Sequence, residues 1–151
     1  MEEKWNSRTE LQIGKQGIEK LEKAKVIIYG IGGVGSYTTE ALARAGIGNL
    51  ILVDNDKITP SNINRQIHAT TKTVGKNKVD VMKKRIEEIN PNANVQIYMN
   101  EENEENLINL ECSYVVDAVD TIKTKLKLIE KANEIDIPII SAMGAGNKLD
   151  A

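Results

Sequence analysis

The chain has 151 residues, 40% hydrophobic and 28% charged, with a formal net charge of −2, which is the profile of one soluble globular domain able to bury a core. No stretch approaches the roughly 20 apolar residues of a membrane span, and Met1-Glu2-Glu3-Lys4-Trp5 lacks a cationic-then-apolar signal pattern, so a cytoplasmic location is expected. The single cysteine, Cys112, excludes an intramolecular disulfide and a Cys-x-x-Cys zinc site within these residues, and with no Phe the core must be aliphatic.

In chain order, Arg8 to Leu21 carries apolar residues at Leu11, Ile13, Ile18 and Leu21, broken by Gly14 and Gly17. The pattern predicts two short helices joined by a bend, an arm over residues 1–24 standing outside the core. Val26 to Tyr29 reads as a buried parallel strand, and Ser36 to Ala45 as a helix that Gly46 and Gly48 end. Leu50 to Val53 is a second strand. Asp56 to Gly75 forms a polar loop with Pro60 and the only histidine, His68, long enough to suggest functional use. Lys76 to Asn90 restores helical period through Val79, Met82, Ile86 and Ile89. Val95 to Tyr98 is a third strand, Leu107 to Leu110 a short acidic helix, and Tyr114 to Asp117 a fourth strand. Thr121 is placed to cap a helix running to about Ile135, and Ile137 to Ser141 makes a fifth strand. This alternation over 25–151 predicts a Rossmann-like, doubly wound α/β domain with a mostly parallel sheet. Gly144 to Ala151 starts a fresh turn with nothing to pair, so the chain is expected to be the front part of a longer protein.

Chemistry concentrates at the strand ends. Gly30-Ile31-Gly32-Gly33-Val34-Gly35 follows the first strand and opens a helix, where backbone N–H groups can close on phosphate oxygens at the positive end of the helix dipole. Asp54 follows the second strand, 19 residues after Gly35, matching the offset of a ribose-binding acid. Such a pair alone fits an NAD-dependent or other nucleotide-binding module. Arg65 and Lys78 shift the balance, because two cations suit a reacting triphosphate and hydride transfer needs no such pair. Each has a plainer alternative: Asp54 capping a turn, Arg65 in a structural ion pair, Lys78 on a solvated helix face, Asp117 satisfying loop N–H groups. His68 suggests a general base by type, but a structural hydrogen-bonding role is the stronger reading, and Cys112 is read as a small semi-buried hydrophobe. Lys72 to Arg85 is rich in bases, as are Lys123, Lys125 and Lys127; these stretches are either solvated helix surface or a nucleic-acid-binding patch, without aromatic stacking residues beside them.

Taken with Asn62-Ile63-Asn64-Arg65-Gln66-Ile67-His68-Ala69, Asp117-Ala118-Val119-Asp120-Thr121 and Ser141 to Asp150, these motifs resemble the adenylating domain of the ubiquitin-activating-enzyme-like superfamily. Within it they are most similar to the branch that dehydrates threonylcarbamoyladenosine in tRNA. The resemblance implies ATP, Mg²⁺ and activation of a carboxylate as an acyl-adenylate. By position it implies that Gly30, Gly32, Gly33 and Gly35 form the nucleotide loop and that Asp54 holds the ribose with Asp56 nearby. Asn62, Arg65 and Lys78 would contact the phosphates beside Gln66, and Asp120 would hold Mg²⁺ with Asp117 in support. Arg8 would reach the ATP of a neighbouring subunit, which implies a homodimer. Thr121 stands where activators of sulfur-carrier proteins typically have Asn, which favours the tRNA branch; a sulfur-donor or carrier protein remains the alternative partner.

Overall fold

The computed structural model describes residues 3–99, 108 and 111–144. Its centre is a five-stranded, wholly parallel sheet of β1 (Lys25–Tyr29), β2 (Asn49–Val53), β3 (Asn94–Tyr98), β4 (Tyr114–Asp117) and β5 (Ile139–Ser141), in the order β3-β2-β1-β4-β5. The helices are α1 (Ser7–Lys23), α2 (Gly33–Ala45), α3 (Lys78–Ile89) and α4 (Ile122–Glu134). Side chains alternate across a strand, so β1 sends Val26 and Ile28 to one face and Ile27 and Tyr29 to the other. Val26 and Ile28 join Leu50, Leu52, Val95 and the α3 residues Val79, Met82 and Ile86. Ile27 and Tyr29 join Ile51, Val53, Val115 and Leu128 of α4. Covering both faces is what makes β1 and β2 continuous apolar runs, and it is the condition under which parallel sheets are stable.

The arm is helical with a kink at Gly14, whose φ of 71° interrupts the helical backbone. One expectation needs correction: the arm does not stand outside the core. Ile18 is buried and Leu21 packs against the α2–α3 side of the sheet. The junction is close, for Gly48 N–H donates to Leu21 O at 3.0 Å and any Cβ on Gly48 would collide with the Glu22 carbonyl. Helix α2 begins at Gly33, three residues before the expected start, so the glycine loop runs directly into its first turn. Thr121 does occupy the position before α4, but its side chain makes no capping hydrogen bond. The expected helix over 107–110 lies outside the described residues apart from Ile108, a fully buried core residue, and so does the tail beyond Gly144. Among the described residues no helix is long and apolar enough to cross a membrane.

Candidate nucleotide cleft

The strand order reverses between β1 and β4, and ligands of such sheets bind in the crevice beyond the carboxyl ends of the strands at this point. A cleft of about 530 Å³ lies there. It gathers Gly30, Gly32, Gly33, Asp54, Asp56, Arg65, Gln66, Lys78 and Asp120, residues the sequence separates by up to 90 positions. Gly35, Asn62 and Arg8 do not line it.

Two glycines are required by space. Gly30 has φ 85° and a Cβ there would sit 2.6 Å from the Ala118 carbonyl, so β1 and β4 can approach at the crevice only with glycine. A Cβ on Gly35 would collide with the Gly30 carbonyl, which accounts for Gly35 behind the loop rather than on the cleft wall. The first bond of the α2 ladder runs from Ser36 N–H to Gly32 O at 3.0 Å, so the N–H groups of Gly32, Gly33 and Val34 precede the helical hydrogen bonds.

Asp54 braces this loop. Its Oδ2 accepts the Ile31 N–H at 2.7 Å and its Oδ1 accepts the Asp56 N–H at 2.8 Å. The turn-capping role weighed from the sequence is therefore real, and each oxygen retains a further lone pair.

The loop after β2 returns by an antiparallel bridge between Lys57 and Asn77, with Ile58 N–H donating to Lys76 O at 2.8 Å and Gly75 N–H to Ile58 O at 2.8 Å. This return delivers Lys78, the first residue of α3, to the cleft. Lys78 is buried, against the plain expectation for a helix-face lysine, and its Nζ lies 3.4 Å from Asp56 Oδ2. Inside the loop, a short 3-10 turn (Pro60–Asn62) is closed by Asn62, whose Oδ1 accepts the Thr59 N–H at 3.0 Å. Asn62 is thus buried in the base of the loop. Arg65 is exposed, and its Nη1 donates to Ser61 O at 2.9 Å and Asn64 Oδ1 at 2.8 Å. Gln66 is buried on the cleft wall with Oε1 lacking a partner among the described residues.

The β4 side differs. Asp117 is completely buried; its Oδ1 accepts the Val119 N–H at 3.1 Å and its Oδ2 pairs with Lys125 Nζ at 2.8 Å. Lys125 also donates to Ala142 O at 2.9 Å. This removes Lys125 from the basic-patch reading, because a buried, paired lysine offers no surface to nucleic acid. Asp120, exposed on the rim, is not held by any hydrogen bond or ion pair among the described residues. Sequence reasoning also missed Thr124 and Met99 in the lining, and the buried Glu40 of α2, clasped by Arg44 and Arg85. Burial acts to raise the Glu40 carboxyl, but the two guanidiniums outweigh it and the group is held below its ordinary value.

The sheet, the crossovers and the crevice define a Rossmann-like α/β domain with its cleft at the switch point. The chain belongs to the ThiF family, whose model matches residues 7–149. A protein named tRNA threonylcarbamoyladenosine dehydratase from Bacillus subtilis is 48% identical over 147 residues, covering 95% of this chain and 58% of that protein. A Haemophilus influenzae molybdopterin-synthase adenylyltransferase is 34% identical over 127 residues, covering 83% and 52%. Among solved structures, the Escherichia coli tRNA N6-threonylcarbamoyladenosine dehydratase in complex with ATP superposes with a TM-score of 0.91 at 37% identity, covering 95% of this chain and 60% of that one. The chain thus spans between half and three fifths of these relatives' length.

Proposed function

We propose that the cleft binds ATP with Mg²⁺ and that the protein to which these residues belong adenylates a carboxylate, the threonyl carboxylate of threonylcarbamoyladenosine in tRNA. The observation that carries this reading is Lys78: a nearly buried ammonium beside a glycine loop, with only a 3.4 Å contact to a largely exposed Asp56. Holding a desolvated cation ready is costly unless an anion is to arrive, and hydride transfer to a nicotinamide has no use for it.

In this reading the N–H groups of Gly32, Gly33 and Val34 receive phosphate oxygens, and the spare lone pairs of Asp54 take the ribose hydroxyls, with Asp56 beside them. Arg65 leaves Ser61 and Asn64 to bridge phosphate oxygens with its planar fork, and Lys78 exchanges Asp56 for the polyphosphate. Gln66 stands on the wall next to Gly32, and Asn62 keeps the loop in register so that Arg65 faces the cleft. The donor set fits Mg²⁺: a hard cation takes one or two carboxylates beside phosphate and water, and Asp120 is the acid on the rim not otherwise engaged among the described residues. When bound, the ion neutralises charge on the leaving phosphates.

An oxygen of the substrate carboxylate attacks the α-phosphorus, the bond to the bridging oxygen breaks, and pyrophosphate departs. A nitrogen of the same side chain then attacks the acyl carbon, AMP leaves, and the ring closes with the net loss of water from the substrate. The chain fixes positive charge before two anions meet and supplies no nucleophile of its own. Arg8, exposed and not among the residues lining this cleft, is assigned to the ATP of a second subunit in a homodimer. Activation of a sulfur-carrier protein is the second reading, favoured by the 34% identity to the molybdopterin-synthase adenylyltransferase.

The test is ATP–pyrophosphate exchange. Exchange stimulated by tRNA bearing threonylcarbamoyladenosine supports the first reading, and exchange stimulated by a carrier protein ending in Gly-Gly supports the second. Calorimetric preference for NAD over Mg-ATP overturns both.

A further inference from the structure

His68 lies behind the glycine loop, fully buried, with Nε2 2.7 Å from the carbonyl oxygen of Ile31. A carbonyl can only accept, so the proton of this bond is on Nε2. Nδ1 is buried and has no partner among the described residues. Were the ring an imidazolium, Nδ1 would be an unpaired buried donor on a buried cation, which is the more expensive alternative. The charged groups facing it are Asp54, at the end of β2, and Lys78, at the start of α3. Burial is the main cause that holds the imidazole below its ordinary value; the bond to Ile31 and Asp54 oppose this, and Lys78 adds to it.

Ile31 is therefore gripped from two sides. Its N–H is taken by Asp54 at 2.7 Å and its C=O by His68 at 2.7 Å. A trans peptide is planar, with C=O and N–H pointing in opposite directions. Drawing the Ile31 carbonyl back toward His68 turns the N–H of Gly32, on the same peptide unit, away from the interior. Glycine on both sides of Ile31, at Gly30 and Gly32, leaves these peptides otherwise free to rotate.

We propose that His68, as the neutral Nε2–H tautomer, is a positioning residue that fixes the glycine loop with the Gly32 N–H facing the cleft, and that it acts on the nucleotide only through Ile31. The inference deepens the ATP reading and rests on it for the ligand. The loop geometry itself does not depend on that reading.

His68 is the only histidine in the chain, so its ring nitrogens are assigned without ambiguity in a long-range ¹H–¹⁵N correlation spectrum of the labelled protein. The expected pattern at pH 7 is a protonated Nε2 with a bare Nδ1; a protonated Nδ1 or a charged ring overturns the proposal. Function is read with His68→Ala and His68→Gln, because the Gln amide can return a donor near the place of Nε2. His68→Ala is expected to speed amide exchange at Gly32, Gly33 and Val34 and to weaken Mg-ATP about tenfold, the loss of one well-placed hydrogen bond. His68→Gln should recover most of both. Equal loss in the two variants would reduce His68 to filling space, and an unchanged loop in His68→Ala would remove its role. If His68→Ala does not fold, the tautomer and the Gln variant still decide. If the wild-type chain does not bind Mg-ATP while exchange at the loop still follows His68, the nucleotide reading fails and the loop assignment stands.

Discussion

Two buried lysines project from the first turns of two helices, Lys78 lining the crevice and Lys125 beneath it, and each meets an acid near a strand end, yet the pairs are built to different standards. Lys125 reaches a completely buried Asp117 at 2.8 Å and shares its ammonium with Ala142 O. Lys78 is as well buried, but Asp56 is 3.4 Å away with its side chain 67% exposed. The first pair is closed: every partner comes from the protein, and β4, α4 and the end of β5 are tied together through it. The second is left loose on the acid's side, where water or a ligand anion can compete. The contrast separates an ion pair sealed within the protein from one whose acid stands open to solvent.

The largest effect should come from breaking the closed pair. Lys125→Met leaves the Asp117 carboxylate buried with only the Val119 N–H, and removing one partner of a buried pair costs about 3–5 kcal/mol. Chemical denaturation should show that loss. A change below about 1 kcal/mol would mean that the two pairs are equivalent after all.

Next is Lys78→Met, where the comparison predicts the opposite division of effects. Stability should change by no more than about 1 kcal/mol, since the variant deletes a desolvated ammonium whose partner is free to hydrate. Mg-ATP affinity should fall roughly 10- to 100-fold, as expected for a charged hydrogen-bonding group worth about 1.5–3 kcal/mol. Calorimetry on the folded variant measures it. Unchanged affinity would remove the ammonium from the nucleotide site.

The framework of this arrangement is legible in the sequence. Continuous apolar runs at Val26 to Tyr29 and Leu50 to Val53, each followed by glycine or acid, mark strands covered on both faces, and their chain order places Gly30, Asp54 and Asp120 on one rim. Helical period likewise marks α3 to within two residues. What the sequence hides is the partner of each charge. Lys125 sits among Lys123 and Lys127 in an evenly basic stretch, and nothing in that pattern shows that only Lys125 turns inward to Asp117. Glu40 finds Arg85 across 45 residues, a contact set by how α2 and α3 lie on the sheet. The arm misleads for a related reason: its glycines correctly signal a bend at Gly14, but whether Ile18 and Leu21 are buried depends on the surface they meet.

Acidification should act first at the His68 side of the crevice and later at the Glu40 clasp between α2 and α3, which does not line it. His68, beside the loose pair, is held below its ordinary value of 6.5 mainly by burial. The unfolded chain therefore binds the proton first, so stability is fully present above about pH 6.5 and is lost as pH falls toward the folded value. Glu40 is also depressed, and its contribution is present above its ordinary 4.5 and lost only at lower pH. With the intrinsic slowing of exchange toward acid divided out, amide protection at residues 31–34 should consequently fall between pH 6.5 and 5 relative to that of Val119, on the Asp117 side. His68→Gln should flatten the first change. Simultaneous loosening of both sides would mean that the crevice responds as one unit.

The smallest effect is the most discriminating. Asp56→Asn removes the loose pair's charge but keeps its shape, and the Asp56 N–H and C=O go on bonding to Asp54 Oδ1 and the Lys78 N–H, at 2.8 and 3.1 Å. The loop path is thus held by the main chain and does not need the carboxylate. A pair with one partner so exposed is worth about 0–1 kcal/mol, because water screens it and the acid is hydrated either way. Denaturation midpoints should therefore move by about half a kcal/mol or less. A loss on the scale expected for Lys125→Met would show that Lys78 depends on Asp56 as fully as Lys125 depends on Asp117, and Lys78 could then not exchange Asp56 for an incoming anion.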